Sequence, residues 1–571
     1  MQISGGRERA RVSSVVMLAT MAGGALGVGL LGGCTGPGGL EWGPLGSRAS
    51  DRGSLLPAER LRRASPLNLA DFKGEPVPAP EQLIPASVVR AAMARAGQVE
   101  RLELPIERVR AAVLENNLQL KVALRDPAIA SESLRAEMAK FESVLNLAVR
   151  GQRDDLPTLN VTTPNQRDSA SGSAGVDIPL RTGGRVSVDL TESWSQTPNP
   201  FVSLDESFSS GLGVSISQPL LRNAGERVNT ASIAIAGYNQ QIAEARTTNR
   251  VIAEIASGER AYWRVYAAAR ELEVRQKQYE LAVEQLERAR RRVSAGQSPE
   301  VEVTRAESGV AAQLEAIIVA ENTLLDQQRE LKRRMNLPEA DIAGTTLISP
   351  ATQPNPLRYD LTGSKEQLCD AALVNRAELL EAELAVLADA VNVDVARNAA
   401  LPDVSLSASY DLAGLDRTFW LSQRRLSNAN NDTWNAGVTA AIPLGNEAAE
   451  ARLRRAIITR VQSIADKAAR EQTVRQEVLG AIDRMNSGWQ RILAARQNAL
   501  LAARTLAAEQ RQFDVGSRTS TDVLDAATRL ADAQSAEIRA LADYEVAKID
   551  LAVATGTVLG ASAVGWEAQG E

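Results

Sequence analysis

The sequence predicts a mainly α-helical fold with a membrane β-barrel part, built from a helix–strand–long helix–helix unit that is written twice. Three observations carry that reading. Residues 226–294 and 447–513 run without a proline and read as single long helices. Segments that alternate apolar with small polar residues precede each of them. Landmarks of the first half recur in the second, several at a spacing of 220 residues. Self-similarity of this kind marks a duplicated architecture.

Composition sets the bounds. Of 571 residues 44% are hydrophobic but only 4% are aromatic, a balance that favours long helices packed through small side chains. The chain has no histidine, which excludes His-based acid–base chemistry, Ser-His-Asp or Cys-His nucleophiles and His metal ligands. Two cysteines, Cys34 and Cys369, cannot form a disulfide framework or a Cys-rich zinc site, and the lone Cys369 reads as a small buried residue. A net charge of −6 argues against nucleic acid as a partner. The chain therefore reads as no enzyme, with no cofactor and no metal.

The N-terminus reads as an address. Arg7, Arg9 and Arg11 precede an apolar run from about Val12 to Leu31, which ends at Leu31-Gly32-Gly33-Cys34. That order is a secretory signal, and a cysteine directly after small residues fits a bacterial lipobox, with Cys34 as the lipidated first residue. Thr35 rather than Asp follows, as in lipoproteins sent to the outer membrane. Residues 35–100 are rich in Gly, Pro, Ser and Arg and read as linker. After residue 34 no run of eighteen apolar residues occurs, so any bilayer crossing of the mature chain must use strands.

The duplication then divides the chain: signal peptide 1–33, lipidated linker 34–100, first repeat 101–340, inter-repeat linker 341–364, second repeat 365–558 and tail 559–571. In the first repeat strands are expected at about 157–219 and the long helical hairpin at about 226–336; in the second, at about 402–443 and 447–556. Leu156-Pro157-Thr158-Leu159 answers to Leu401-Pro402-Asp403-Val404, where a helix ends and a strand begins. Pro219-Leu220 answers to Pro443-Leu444, Gly296 to Gly516, and Asn336 to Gly556. Pro157 to Pro219 spans 62 residues against 41 for Pro402 to Pro443. The excess predicts an extra hairpin turning at Thr182-Gly183-Gly184.

Each long helix carries a seven-residue apolar seam, the mark of coiled-coil packing. The first shows Val265, Leu272, Tyr279, Leu286 and Val293. The second runs from Ile457 and Ile464 through Val478, Met485, Ile492, Ala499 and Leu506 to Phe513, broken only by Glu471. At 1.5 Å per residue such helices reach roughly 100 Å. In the strands, Val186, Val188 and Leu190 alternate with Ser187, Asp189 and Thr191, and Val404, Leu406, Ala408 and Tyr410 with Ser405, Ser407 and Ser409. Little sequence remains to cover such a sheet, and Trp194, Phe201, Phe208, Trp420 and Trp434 stand near strand ends as an interfacial girdle would. Membrane strands are therefore preferred over a soluble sheet. One copy has too few strands to close a barrel, which needs at least eight, so copies must pool them. The competing reading is a coiled-coil lipoprotein that spans the periplasm without transporting anything.

At this point the sequence resembles the TolC-type outer-membrane factor family, in a lipoprotein-type member. The match is strongest from Val515-Gly516-Ser517-Arg518-Thr519-Ser520-Thr521-Asp522-Val523 through Tyr544 to Ala554-Thr555-Gly556. Asn375-Arg376-Ala377-Glu378-Leu379 and Gln218-Pro219-Leu220-Leu221-Arg222-Asn223 also fit, and the resemblance covers about residues 102–560. It implies a homotrimer sharing one twelve-stranded outer-membrane barrel and one long periplasmic α-barrel. It implies a passive exit duct of a tripartite efflux or type I secretion system, docked to a periplasmic adaptor and an inner-membrane pump. The extra hairpin departs from the family's four strands per protomer. The resemblance also places Asp522 and Asp525, three apart on one helix face, at the periplasmic aperture, where three copies give six carboxylates around one axis. Such crowding raises carboxylate pKa values and attracts cations. Arg518 matches a latch arginine with Glu302 as its expected partner. Gly296 and Gly516 are expected to break the helices at the tip.

Overall fold

A computed structural model describes residues 101–155, 166–197, 204–344, 346–361 and 364–561. The signal segment, the expected lipidation site Cys34, the linker to residue 100, Phe201 and nearly all of the tail lie outside the described residues.

The first half opens with β1 (Arg101–Leu104), α1 (Ile106–Asn116), α2 (Leu118–Ala123) and α3 (Asp126–Met138), followed by β2 (Val144–Asp155), β3 (Gln166–Pro179), β4 (Arg185–Gln196) and β5 (Glu206–Pro219). A short turn of helix, α4 (Glu226–Asn229), leads into α5 (Ala231–Ser294), which α6 (Val301–Met335) follows back. The second half has β6 (Leu347–Pro350), α7 (Lys365–Asn375), α8 (Ala377–Ala399), β7 (Asp403–Asp416), α9 (Phe419–Ser427) and β8 (Asp432–Ala441). The chain then runs through α10 (Glu447–Asp514), α11 (Ser520–Ala554) and α12 (Val558–Ala561). α5 and α10 have 64 and 68 residues, about 100 Å each.

Six strands form one antiparallel sheet in the order β2-β3-β4-β5-β7-β8. The β3–β4 hairpin turns at Thr182-Gly183-Gly184, with Leu180 N–H donating to Gly184 O at 2.8 Å. The first helix-to-strand change is earlier than the sequence suggests. The landmark Leu156–Leu159 lies outside the described residues, but strands flank it on both sides, and β2 already begins at Val144 rather than near residue 157. Val144-Leu145-Asn146-Leu147-Ala148-Val149 is a short, nearly continuous apolar run, which periodicity cannot separate from a helix end. The first half thus gives the sheet four strands and the second half two.

Register puts like with like. Leu145, Val176, Val188, Val214, Tyr410 and Trp434 form one row across the sheet, and the neighbouring row on the other face reads Val144, Asp177, Ser187, Ser215, Ser409 and Asn435. One face is apolar and the other is mostly small and polar. α9, which alternation did not suggest, lies across one end of the apolar face. A Cβ on Gly414 would stand 2.1 Å from Ser422 O, so only glycine lets α9 approach, and buried Ser210 and Ser422 share a hydrogen bond of 2.8 Å there.

The α10 seam is buried from Val478 through Met485, Ile492, Ala499 and Leu506 to Phe513, while Ile457 and Ile464, beyond Glu471, are about half exposed. The α5 seam keeps Val265, which is fully buried, and shifts by one position further along the helix. Gln278, Ala282, Gln285 and Ala289 are buried, and Leu272, Tyr279, Leu286 and Val293 are only partly so. Small alanines let the helices approach closely along the contact line, and the bulkier residues flank it.

A second correspondence shows the duplication in three dimensions. At the α1–α2 break Asn117 Nδ2 donates to Arg334 O (3.2 Å) and to Glu254 (3.3 Å). At the α7–α8 break Arg376 donates to Ala554 O (3.3 Å) and to Glu477 (2.7 Å). Arg334 and Ala554 stand 220 residues apart, so each break is tied to the end of its own returning helix. Burial alone lowers the Arg376 pKa, but Glu378 and Glu477 outweigh it and raise the pKa. Arg376→Ala is expected to cost about 2 kcal/mol, since hydrogen bonds to charged groups contribute roughly 1.5–3 kcal/mol and Glu477 remains solvated. An unchanged midpoint in denaturant titration of that variant would contradict the assignment.

The largest core sits where the two halves meet. Tyr262, fully buried on α5, donates to Leu104 O (3.1 Å) and accepts from Thr352 N–H (2.9 Å). It thereby holds a two-stranded parallel sheet of β1 and β6 against the long helices. Strands of four residues carry no readable alternation, so the sequence at 341–364 reads as linker although β6 lies within it.

Candidate functional site at the helix tips

The two helical hairpins turn at the same level, and both turns close in the same way. At the first, Gly296 N–H bonds to Val293 O (2.9 Å) and Gln297 N–H to Arg292 O (2.8 Å); at the second, Gly516 bonds to Phe513 O (2.9 Å) and Ser517 to Gln512 O (3.0 Å). This is the Schellman arrangement, which needs a left-handed residue just past the helix. Gly296 and Gly516 supply it with φ of 71° and 82°.

The following helices start differently. α11 opens with a capping box: Asp522 accepts from Thr519 N–H (2.9 Å) and from Thr519 Oγ1 (2.8 Å), while Thr519 Oγ1 faces Asp522 N–H at 3.4 Å. Glu302, which stands 220 residues before Asp522, does not cap its own helix. It reaches across, accepts the backbone N–H of buried Ser520 at 2.9 Å, and is held by Arg305 at 2.7 Å. A carboxylate at that helix N-terminus also meets the positive end of the helix dipole. Arg292 ties the tips from the other side: its guanidinium donates to Phe513 O and lies 4.8 Å from the centre of the Phe513 ring.

Two contacts of the single chain bear on what was expected of the trimeric tip. Within one chain Arg518 does not meet Glu302. It turns back on α10, 3.0 Å from Gln512 Oε1 and 3.3 Å from Glu509, because Glu302 is engaged by Ser520 and Arg305. Nor does crowding raise the Asp522 pKa within the chain. The Thr519 backbone N–H, then its hydroxyl, lower it, with Arg518 adding to the effect. Asp525 is exposed one turn further along α11. Sequence reasoning missed Arg292 and Ser520. The signal available for Arg292 was its 220-residue correspondence with Gln512, which singles out a position and not a bond.

Desolvation pushes the Glu302 carboxyl up, but the Ser520 N–H and Arg305 outweigh it, so its pKa is lowered. A carboxylate with a depressed pKa contributes fully above its ordinary titration range, and that contribution is lost as pH falls through the depressed value. The junction is therefore expected to hold at neutral and mildly acid pH and to loosen only in stronger acid. Labelling of a cysteine placed at Gln297, followed against pH, reads this out. A transition centred near neutrality would contradict it.

Among the described residues no group of His, Cys, Asp or Glu could hold a metal ion, and no helix is long and apolar enough to cross a membrane. The family model described as outer membrane efflux protein matches residues 186–337 and 368–557. The chain is 25% identical over 348 residues to Outer membrane protein TolC of Vibrio cholerae serotype O1, covering 61% of this chain and 76% of that one. Among solved structures it resembles the Campylobacter jejuni CmeC outer membrane channel (TM-score 0.59, 15% identity, 79% of this chain and 85% of that one). It also resembles the Vibrio cholerae outer membrane protein VceC (TM-score 0.58, 17% identity, 79% and 96%).

Proposed function

Because the chain belongs to the outer membrane efflux protein family, we propose that it acts as a homotrimeric exit duct of a tripartite efflux or type I secretion system. It passes substrates across the periplasm and outer membrane without catalysis of its own. The observation that carries this reading is the six-stranded sheet. It has one apolar and one small polar face, both its edges lack a partner among the described residues, and two helices of about 100 Å run on from it. Open edges in lipid cost several kcal/mol per unpaired backbone group, so the sheet needs copies of itself. A non-transporting coiled-coil rod has no need of such a sheet, and no observation favours that alternative.

In this reading the apolar face meets lipid and the polar face lines the pore. Cys34 carries the lipid anchor, and the division into signal, linker, two repeats and tail given above holds. The tips meet a periplasmic adaptor and, through it, an inner-membrane pump. Asp525, with Asp522 behind it in its capping box, forms the carboxylate ring at the aperture. Gly296 and Gly516 fix the turns, and Arg518 and Glu302 brace them through separate partners. Photo-crosslinkers at Gln297 and Ser517 in intact cells test the docking: both are expected to capture a periplasmic protein. Capture at neither tip, with the protein trimeric and in the outer membrane, would overturn it. Labelled palmitate should enter the wild-type chain and not Cys34→Ser.

A further inference from the structure

We propose that the membrane pore is an eighteen-stranded barrel, with the additional hairpin β2–β3 in its wall and β2 of one copy sealed against β8 of the next. The inference rests on the trimeric reading above.

The family match begins at residue 186, at the start of β4, so β2 and β3 stand outside it. Nothing in their geometry sets them apart from the wall. β2 pairs with β3 over twelve rows without a break, from Val144↔Asp177 to Asp155↔Gln166, and β3 pairs with β4 from Asp168↔Gln196 to Pro179↔Arg185. β2 and β3 have 12 and 14 residues, above the roughly 9–11 that cross a bilayer.

The two-sided chemistry also continues. Leu145, Leu147 and Val149 fall on the apolar side in line with Val176 and Val188, and all three are more than half exposed. On the polar side Asn146 bonds to Asp177 at 2.8 Å. A hairpin folded away as an outer cap would need neither the register nor an exposed apolar row.

The edges point to a second copy of this chain as the occupant. β8 is exposed along its whole length and β2 almost throughout. In an antiparallel sheet of six, the first and last strands run in opposite directions, so β8 meets the β2 of the next copy antiparallel. Trp434 and Val438, 72% and 65% exposed, would extend the apolar band into Leu145, Leu147 and Val149 across the seam. Three copies of six strands close with no free edge. Barrel diameter grows roughly linearly with strand number, so eighteen strands give a bore about 1.5 times as wide as twelve. The pore then admits wider cargo than the twelve-strand expectation allows.

Cysteine pairs in the full-length, membrane-extracted protein test the seam. Leu145→Cys, Leu147→Cys and Val149→Cys are each combined with Val438→Cys and compared with Val188→Cys plus Val438→Cys, which reads a β4–β8 seam. On oxidation at least one β2–β8 pair is expected to give covalent dimers and trimers, and the β4–β8 pair none. Covalent oligomers only from the β4–β8 pair, or from no pair while native mass spectrometry shows a trimer, would overturn the eighteen-strand wall and leave the duct intact. A monomer by native mass would contradict the trimeric reading and the wall with it. Cryo-electron microscopy of the unsubstituted protein gives an independent strand count, eighteen against twelve.

Discussion

Arg292→Glu is expected to raise the single-channel current severalfold. In each chain Arg292 makes the one tip-to-tip contact that combines a charge-assisted hydrogen bond, to Phe513 O, with stacking on the Phe513 ring at 4.8 Å. The first contributes roughly 1.5–3 kcal/mol and the second about 0.5–1 kcal/mol at a partly exposed site. Three copies lose that together, so the closed arrangement should fall by more than tenfold in population. The reversed charge also sets a carboxylate beside a carbonyl oxygen. Arg518→Glu is expected to loosen the tip and raise conductance as well, but by less, because Arg518, in the turn after α10, bonds to Glu509 and Gln512 of the helix it follows and is nearly half exposed. Equal currents for Arg292→Glu and the unsubstituted trimer would show that Arg292 does not latch the two tips.

Tyr262→Ala carries the largest expected loss of stability. The side chain is fully buried, meets Trp263 edge-on at 5.5 Å, and is bonded at its hydroxyl to both the Leu104 carbonyl and the Thr352 amide. Truncating a buried aromatic costs about 3–5 kcal/mol. Tyr262→Phe keeps the ring and leaves the Thr352 amide without its partner, while Leu104 O keeps the Ala351 N–H at 3.0 Å, for about 1–3 kcal/mol. Loss of helical circular dichroism on heating should come at a lower temperature in both variants, with the alanine variant the more affected. Coincident melting curves would remove Tyr262 from its place as the clamp between the halves.

Features written in long repeats were legible in the sequence. The α10 seam from Val478 to Phe513 recurs every seven residues, and the structure buries it as far as Glu471 interrupts it. Gly296 and Gly516 were legible because one backbone geometry calls for glycine at both turns. Features set by single long-range contacts were not. β1 and β6 have four residues each and pair across more than 240 positions. β2 hides in an apolar run too short to show its period. α9 is placed by Gly414 and Ser422, neither of which carries a pattern. At the tip the sequence pointed to the charged residues but not to their bonds. Glu302 and Arg518 lie close in the chain's duplicated register, yet Glu302 bonds a backbone amide and Arg518 turns back to α10. A bond between two residues depends on which groups reach each other first, and spacing does not encode that.

Recording from the purified, mature protein in planar lipid bilayers tests most directly whether copies of this chain, joined through their sheets, make a water-filled path. Discrete, long-lived conductance steps from a heat-resistant trimer are the predicted result. A protein that stays monomeric in detergent and leaves the bilayer electrically silent would contradict it.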